Sequence, residues 1–185
     1  MSKRITVIGD GGWGTALGLV LQRNGHQVTM WGYDPDYIAE VRERGENYAY
    51  LPGVPLPEEL YWTADIEEAT RDAEAYVIAV PTKFYPTTLS RFKGHISLDA
   101  PVVSVSKGLV DNRVLTDVAK DALGLTFISA LSGPSHAEEV AREAPTAVTV
   151  ASDHPPFADL FQQLFNNQRF RVYTCLLYTS DAADE

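Results

Sequence analysis

The stretch RITVIGDGGWG, residues 4–14, decides how the rest of the chain is read. Arg4 to Ile8 is a short run dominated by β-branched residues and reads as a buried strand. Gly9, Gly11 and Gly14 follow at the spacing G-x-G-x-x-G, and Trp13 to Asn24 then carries helical periodicity, with Leu17, Val20 and Leu21 on one face. The glycines have separate tasks in such a strand–turn–helix unit. Gly9 permits the tight turn, Gly11 lets the backbone approach a pyrophosphate, and Gly14 lets the helix pack close to the strand. The helix N-terminus behind them, at Gly12 and Trp13, offers unpaired N–H groups and a positive dipole end. A strand, this loop and a helix in this order point to a dinucleotide-binding unit.

Outward from this unit the chain alternates between two hydrophobic periods. Strands are expected at Gln27 to Trp31, Tyr61 to Thr63, Ala75 to Val80, Val102 to Val105, Thr126 to Leu131, Thr146 to Ala151 and Phe170 to Thr174. Helices are expected from Pro35 to Arg44, after Asp65, from Tyr85 to Phe92, from Val114 to Leu123 and from Pro155 to Phe165. Asp34 and Asp65 are expected N-caps, Asp153 is expected to open the helix at Pro155, and Ser135 with Glu138 has capping-box spacing. Residues 45–59 read as a proline-punctuated loop. Strands separated by single helices predict an α/β fold: a Rossmann-like, doubly wound, mainly parallel sheet with helices on both faces. All strand C-termini are then expected along one edge, the edge outside which ligands of such sheets bind.

Composition limits the function classes. The 185 residues are 45% hydrophobic and 22% charged, which suits a globular chain, and the formal net charge is −10. A general nucleic-acid binder shows the opposite balance, so no nucleic-acid partner is expected. No apolar stretch approaches the length of a membrane span, and a cytoplasmic location is expected. The single cysteine, Cys175, excludes an internal disulfide framework. The four histidines lack metal-ligand spacing, so no metal site is assigned.

The ligand edge holds the remaining candidates. Lys107 follows a strand and can supply a point charge to a phosphate or a developing alkoxide, or be a solvated strand-end lysine. Ser132-Gly133-Pro134-Ser135 ends a strand and opens a helix, either an anion-friendly N-terminus or a plain cap. Asp34 is either a ribose ligand or only a helix cap. Phe84 can pack on a cofactor or under the sheet edge, and Tyr48, Tyr50 and Leu51 can flank the ligand or close the core. His136 reads as a partly exposed helix residue. NAD and NADP remain equal candidates, since no arginine stands directly after the second strand.

Four stretches, VIGDGGWGTALG, NYAYLPGVPLP, VSVSKGL and LSGPSHAEEVAREAPTAV, resemble the bacterial-type NAD(P)-dependent glycerol-3-phosphate dehydrogenases over Ile5 to Thr174. That resemblance implies reversible hydride transfer between dihydroxyacetone phosphate and sn-glycerol 3-phosphate with NAD or NADP, feeding glycerophospholipid synthesis. It implies that Gly12 and Trp13 line the pyrophosphate, with Tyr33 where relatives often carry His or Arg near the adenosine ribose. It also implies that Lys107 reaches both cofactor and substrate, that Gly133 and Ser135 bind the glycerol phosphate, and that Ala137 touches the cofactor. The family's proton-donating lysine lies in a helical substrate domain beyond the position of Thr174, so no catalytic residue is assigned here. A homodimer would form through that domain. A stand-alone dinucleotide-binding module and a related 3-hydroxyacid dehydrogenase are the alternative readings.

Residues 1–174 are therefore expected to be the NAD(P)-binding domain. The last eleven residues, CLLYTSDAADE (175–185), fit neither the family nor core patterning and resemble a translated sequencing adapter. They are expected to be a non-native tail, and the chain an inactive fragment without its helical domain.

Overall fold

A computed structural model describes residues 1–176 of the chain. β1 (Arg4–Ile8) is buried from Ile5 onward. Such a strand, covered on both faces, needs a continuous apolar run rather than alternation. α1 (Gly12–Arg23), β2 (Gln27–Trp31), α2 (Pro35–Arg44), β3 (Tyr61–Thr63) and α3 (Ile66–Thr70) follow. Next come β4 (Ala75–Ile78), a single 3-10 turn over Thr82–Phe84, α4 (Tyr85–Arg91) and β5 (Val102–Ser104). A small hairpin of β6 (Leu109–Val110) and β7 (Arg113–Val114) leads into α5 (Leu115–Leu123) and β8 (Ser129–Ser132). α6 (Ala137–Ala141), β9 (Thr146–Ser152), α7 (Pro155–Phe165) and β10 (Phe170–Leu176) complete the order.

Eight strands form one sheet in the order β10-β9-β8-β5-β4-β1-β2-β3. The reversal of order on either side of β1 makes the sheet doubly wound and opens a crevice at the strand ends. Leu17, Leu21, Val41, Phe161 and Phe165 fill one face of the sheet. Trp31, Tyr85, Leu89, Phe92, Val118 and Leu123 fill the other. The Trp31 and Phe92 rings meet edge to face, 4.8 Å between centroids. No helix among the described residues is long and apolar enough to cross a membrane.

Several expectations need correction. The strand C-termini do not all share one edge: β8 pairs antiparallel with β9, and β10 pairs parallel with β9. The short connection through α6 turns the chain back beside β8 instead of carrying it over the sheet. Ser135 does not cap α6, because the helix starts two residues later with His136 at its N-cap. The Ser135 hydroxyl points back to the Gly133 carbonyl at 3.4 Å. Asp153 does not cap α7 either, where His154 holds that position. Its carboxylate instead accepts the Ile128 N–H at 3.2 Å and pairs with Lys120. β8 begins at Ser129 rather than Thr126, because the Thr126 N–H is drawn to the Leu98 carbonyl. By contrast Asp34 caps α2, accepting from the Asp36 and Tyr37 N–H groups at 3.0 and 3.4 Å. Asp65 caps α3 in the same way, through Glu68. β10 runs on through Cys175 and Leu176, which pair with Ala151 and Ser152. Backbone pairing of this kind places little demand on side chains. The rest of the expected tail, residues 177–185, lies outside the described residues.

Candidate functional site

The site is built where β1, β4, β5 and β8 end. Gly9 leaves β1 with φ +121°, and its N–H donates to the Trp31 carbonyl at 2.9 Å. A Cβ on Gly12 would lie 2.4 Å from the Tyr50 carbonyl oxygen, and one on Gly14 would lie 2.6 Å from the Gly9 carbonyl oxygen. These two positions are fixed by backbone packed against backbone. Gly11 differs: a Cβ there would meet nothing within 4 Å. Its bare face opens onto the N-terminal turn of α1, so the space a side chain would fill is left free for a ligand. No acid occupies that first turn. The unpaired N–H groups and the dipole end there suit a pyrophosphate.

The glycine loop is held from behind by Asn47, fully buried in the proline-rich loop. Its amide donates to the Asp10 carbonyl at 2.8 Å and to the Thr15 hydroxyl at 2.7 Å. Its carbonyl accepts from the Tyr37 hydroxyl at 2.5 Å. Burial is the main force pushing the Tyr37 hydroxyl up to about 12, so it stays protonated as a donor near neutral pH. The Asn47 backbone carbonyl also accepts the Leu51 N–H at 2.8 Å. Sequence reading singled out Tyr48, Tyr50 and Leu51 in this loop and missed Asn47. A polar residue in an aperiodic loop carries no signal of burial.

A cleft of about 390 Å³ opens at this edge, lined by Gly11, Gly12, Trp13, Thr82, Lys107, Ser135 and Ala137, among others. The Trp13 indole N–H donates to the Val105 carbonyl at 3.1 Å, fixing the ring at the end of β5. The Ser106 hydroxyl donates to the Val80 carbonyl at 2.7 Å and ties the turns after β4 and β5 together. Gly108, at φ +118°, brings the chain against the Thr82 side chain. Lys107 is exposed, and its ammonium donates to the Gly133 carbonyl at 3.2 Å, bridging the ends of β5 and β8. Gly133 is pressed against β9: a Cβ on it would lie 3.0 Å from the Ala147 carbonyl oxygen. Ala137 sits by Gly12, with its methyl 3.6 Å from where a Gly12 Cβ would be.

The structure thus brings Gly11, Gly12, Trp13, Lys107, Ser135 and Ala137 to one cleft, with Gly133 reaching it through its carbonyl. Tyr33 and Phe84 stand outside its lining. Tyr33, after β2, is 70% exposed, and Phe84 is 53% exposed beneath the Lys83 ammonium, packed neither in the cleft nor under the sheet edge. His136 is exposed. Thr82, absent from the sequence-derived candidates, lines the cleft because a 3-10 turn follows β4 directly. The Asp10 carboxyl lies against Gly32 at the end of β2, its oxygen 2.8 Å from where a Cβ would stand. Burial raises its pKa, its own backbone N–H opposes the rise, and the nearby Asp34 charge adds to it.

Comparison with known proteins supplies the family. Residues 4–158 match the family described as NAD-dependent glycerol-3-phosphate dehydrogenase N-terminus. The chain is 43% identical over 177 residues to the glycerol-3-phosphate dehydrogenase [NAD(P)+] of Bacillus velezensis, covering 93% of this chain and 51% of that protein. With the enzyme of the same name from Aeromonas salmonicida it shares 41% identity, covering 92% of this chain and 52% of the other. The crystal structure of glycerol-3-phosphate dehydrogenase from Coxiella burnetii superposes with a TM-score of 0.89 at 36% identity, covering 94% of this chain and 54% of that one. The chain spans about half the length of the curated relatives it matches. On the strength of the family match and the shared fold, the chain belongs to the NAD-dependent glycerol-3-phosphate dehydrogenase N-terminal family.

Proposed function

We propose that this chain is the nucleotide-binding part of an oxidoreductase that interconverts dihydroxyacetone phosphate and sn-glycerol 3-phosphate with NAD(P)(H), in the cytoplasm and in the service of glycerophospholipid synthesis. The observation that carries the reading is the open face of Gly11 above the free N-terminal turn of α1, next to Lys107 in the same cleft. The nicotinamide cofactor, when bound, supplies or accepts the hydride. Gly11, Gly12 and Trp13 hold its pyrophosphate through backbone N–H groups. The ammonium of Lys107, now on the Gly133 carbonyl, turns its remaining donors toward an anionic substrate. Ser135 adds a hydroxyl at the same end. The family resemblance gives the reading a small-molecule substrate, and the acidic composition argues against a nucleic-acid partner. The proton donor and any homodimer contact are assigned to sequence outside the 185 residues.

Two results test this. Gly11→Leu should keep stability within about 1 kcal/mol of wild type, since its Cβ meets open space and only an N-cap preference is lost. The same variant should weaken NADH binding at least ~30-fold, because the side chain takes the place of the pyrophosphate. Equal NADH affinity in both proteins, read by nucleotide fluorescence, would overturn the reading. The 185-residue chain mixed with dihydroxyacetone phosphate and NADH or NADPH should bind nucleotide and show no turnover. Steady loss of absorbance at the nicotinamide band would place the whole active site within this chain instead.

A further inference from the structure

We propose that Arg91, held against the ring of Tyr33, receives the 2′-phosphate of NADP(H) and sets this chain's choice between the two nucleotides. The proposal rests on the nucleotide-binding reading above. In a doubly wound sheet with a pyrophosphate at α1, the adenosine ribose lies at the C-terminal end of β2. That corner is made of Gly32, Tyr33 and Asp34, with the Asp10 carboxyl against Gly32. Taken from the chain after β2 alone, the corner is acidic and would reject a phosphate.

The third dimension changes that charge. Arg91 is the last residue of α4 and follows β4, far from the corner in sequence. Its guanidinium nevertheless lies 4.9 Å from the Tyr33 ring centroid and 5.3 Å from that of Trp31. Phe92, next in the chain, is locked edge to face on Trp31, which fixes where Arg91 emerges. Arg91 makes no ion pair and no side-chain hydrogen bond among the described residues. A guanidinium spread on an aromatic face keeps its edge N–H donors free for a planar, two-point grip on a phosphate. Tyr33 is 70% exposed, a large ring left in solvent with only Arg91 stacked on it. An arginine stacked on Tyr33 brings a positive charge to the corner that Asp10 and Asp34 make acidic, and makes it acceptable to a 2′-phosphate. Without it, the same carboxylates favour a ribose bearing free hydroxyls.

The test measures dissociation constants of the 185-residue chain for NADPH, NADH, 2′,5′-ADP and 5′-ADP. Arg91→Met keeps the aliphatic stem and removes the charge. It should weaken NADPH and 2′,5′-ADP at least ~10-fold and leave NADH and 5′-ADP within about twofold. Tyr33→Ala, which keeps the guanidinium but removes its platform, should weaken NADPH about threefold, and added salt should shrink the wild-type preference for the 2′-phosphate. Thermal unfolding of each variant shows that the fold is kept. If Arg91→Met weakens both nucleotides alike, or neither, Arg91 does not read the 2′-phosphate and the proposal falls while nucleotide binding stands. If wild type binds none of the four probes, the nucleotide-binding reading falls and takes this assignment with it.

Discussion

Gly9→Ala should cost on the order of 3 kcal/mol or more in folding stability. Two independent effects combine. The backbone at Gly9 holds φ +121°, a conformation that costs an L-residue roughly 1–3 kcal/mol. The new Cβ would also lie 2.5 Å from the Ala79 carbonyl oxygen and 2.8 Å from its carbon. Those atoms belong to the turn after β4, so relief requires β1 and β4 to separate at the point where the cleft begins. Urea unfolding gives the measurement. A loss below 1 kcal/mol would show that the turn relaxes freely and that Gly9 is not a constrained position. The contrast with Gly11→Leu is the sharper check, since a larger side chain is expected to do less damage only two residues away.

Asn47→Leu should be nearly as harmful, at about 3 kcal/mol, although leucine matches asparagine in size and suits a buried position. The substitution removes the donor to the Asp10 carbonyl and the Thr15 hydroxyl and the acceptor of the Tyr37 hydroxyl. The Thr15 hydroxyl keeps its bond to the Gly11 carbonyl at 2.9 Å, but the Asp10 carbonyl loses its side-chain partner. A buried polar group left without a partner costs about 1–3 kcal/mol, more than the leucine gains by its apolar surface. Nucleotide affinity should fall too, because the loop that carries Tyr50 buttresses Gly12. The measurements are a denaturation midpoint and an NADH titration. Unchanged stability would mean that the proline loop is anchored by its apolar residues Leu51, Val54 and Leu60 alone.

What was legible in the sequence follows from how local each signal is. The glycine loop, the Asp34 and Asp65 caps and the apolar runs of β1, β4 and β5 depend on neighbours a few residues away, and all appear in the structure. Ser135 and Asp153 also carry local capping signals, yet Ser135 turns back to the Gly133 carbonyl, and Asp153 is taken by the distant Lys120 and the Ile128 N–H. The β6–β7 hairpin turns on Asp111 and Asn112, both with positive φ, and its two-residue strands are too short to register as a period. In the site, Lys107 and Gly11 were found because they follow strands. Asn47 and Arg91 were not, because each acts on a segment distant in sequence, and Thr82, although it follows β4, lies in a short 3-10 turn that leaves no periodic signal. Three of the four stretches that carried the family resemblance lie at strand ends, and these are the segments that meet at the cleft.

The reversal between β8 and β9 has a practical consequence. β1 starts at the edge of the sheet opposite the cleft, and β10, running against β8, finishes at that same edge, where Leu176 pairs with Ser152. Both ends of the described chain therefore emerge on the side of the sheet away from the cleft. Protein anchored to a sensor surface through either end should present its cleft outward, with full access for nucleotide. Anchoring through a cysteine placed at the exposed position Phe84 should occlude it.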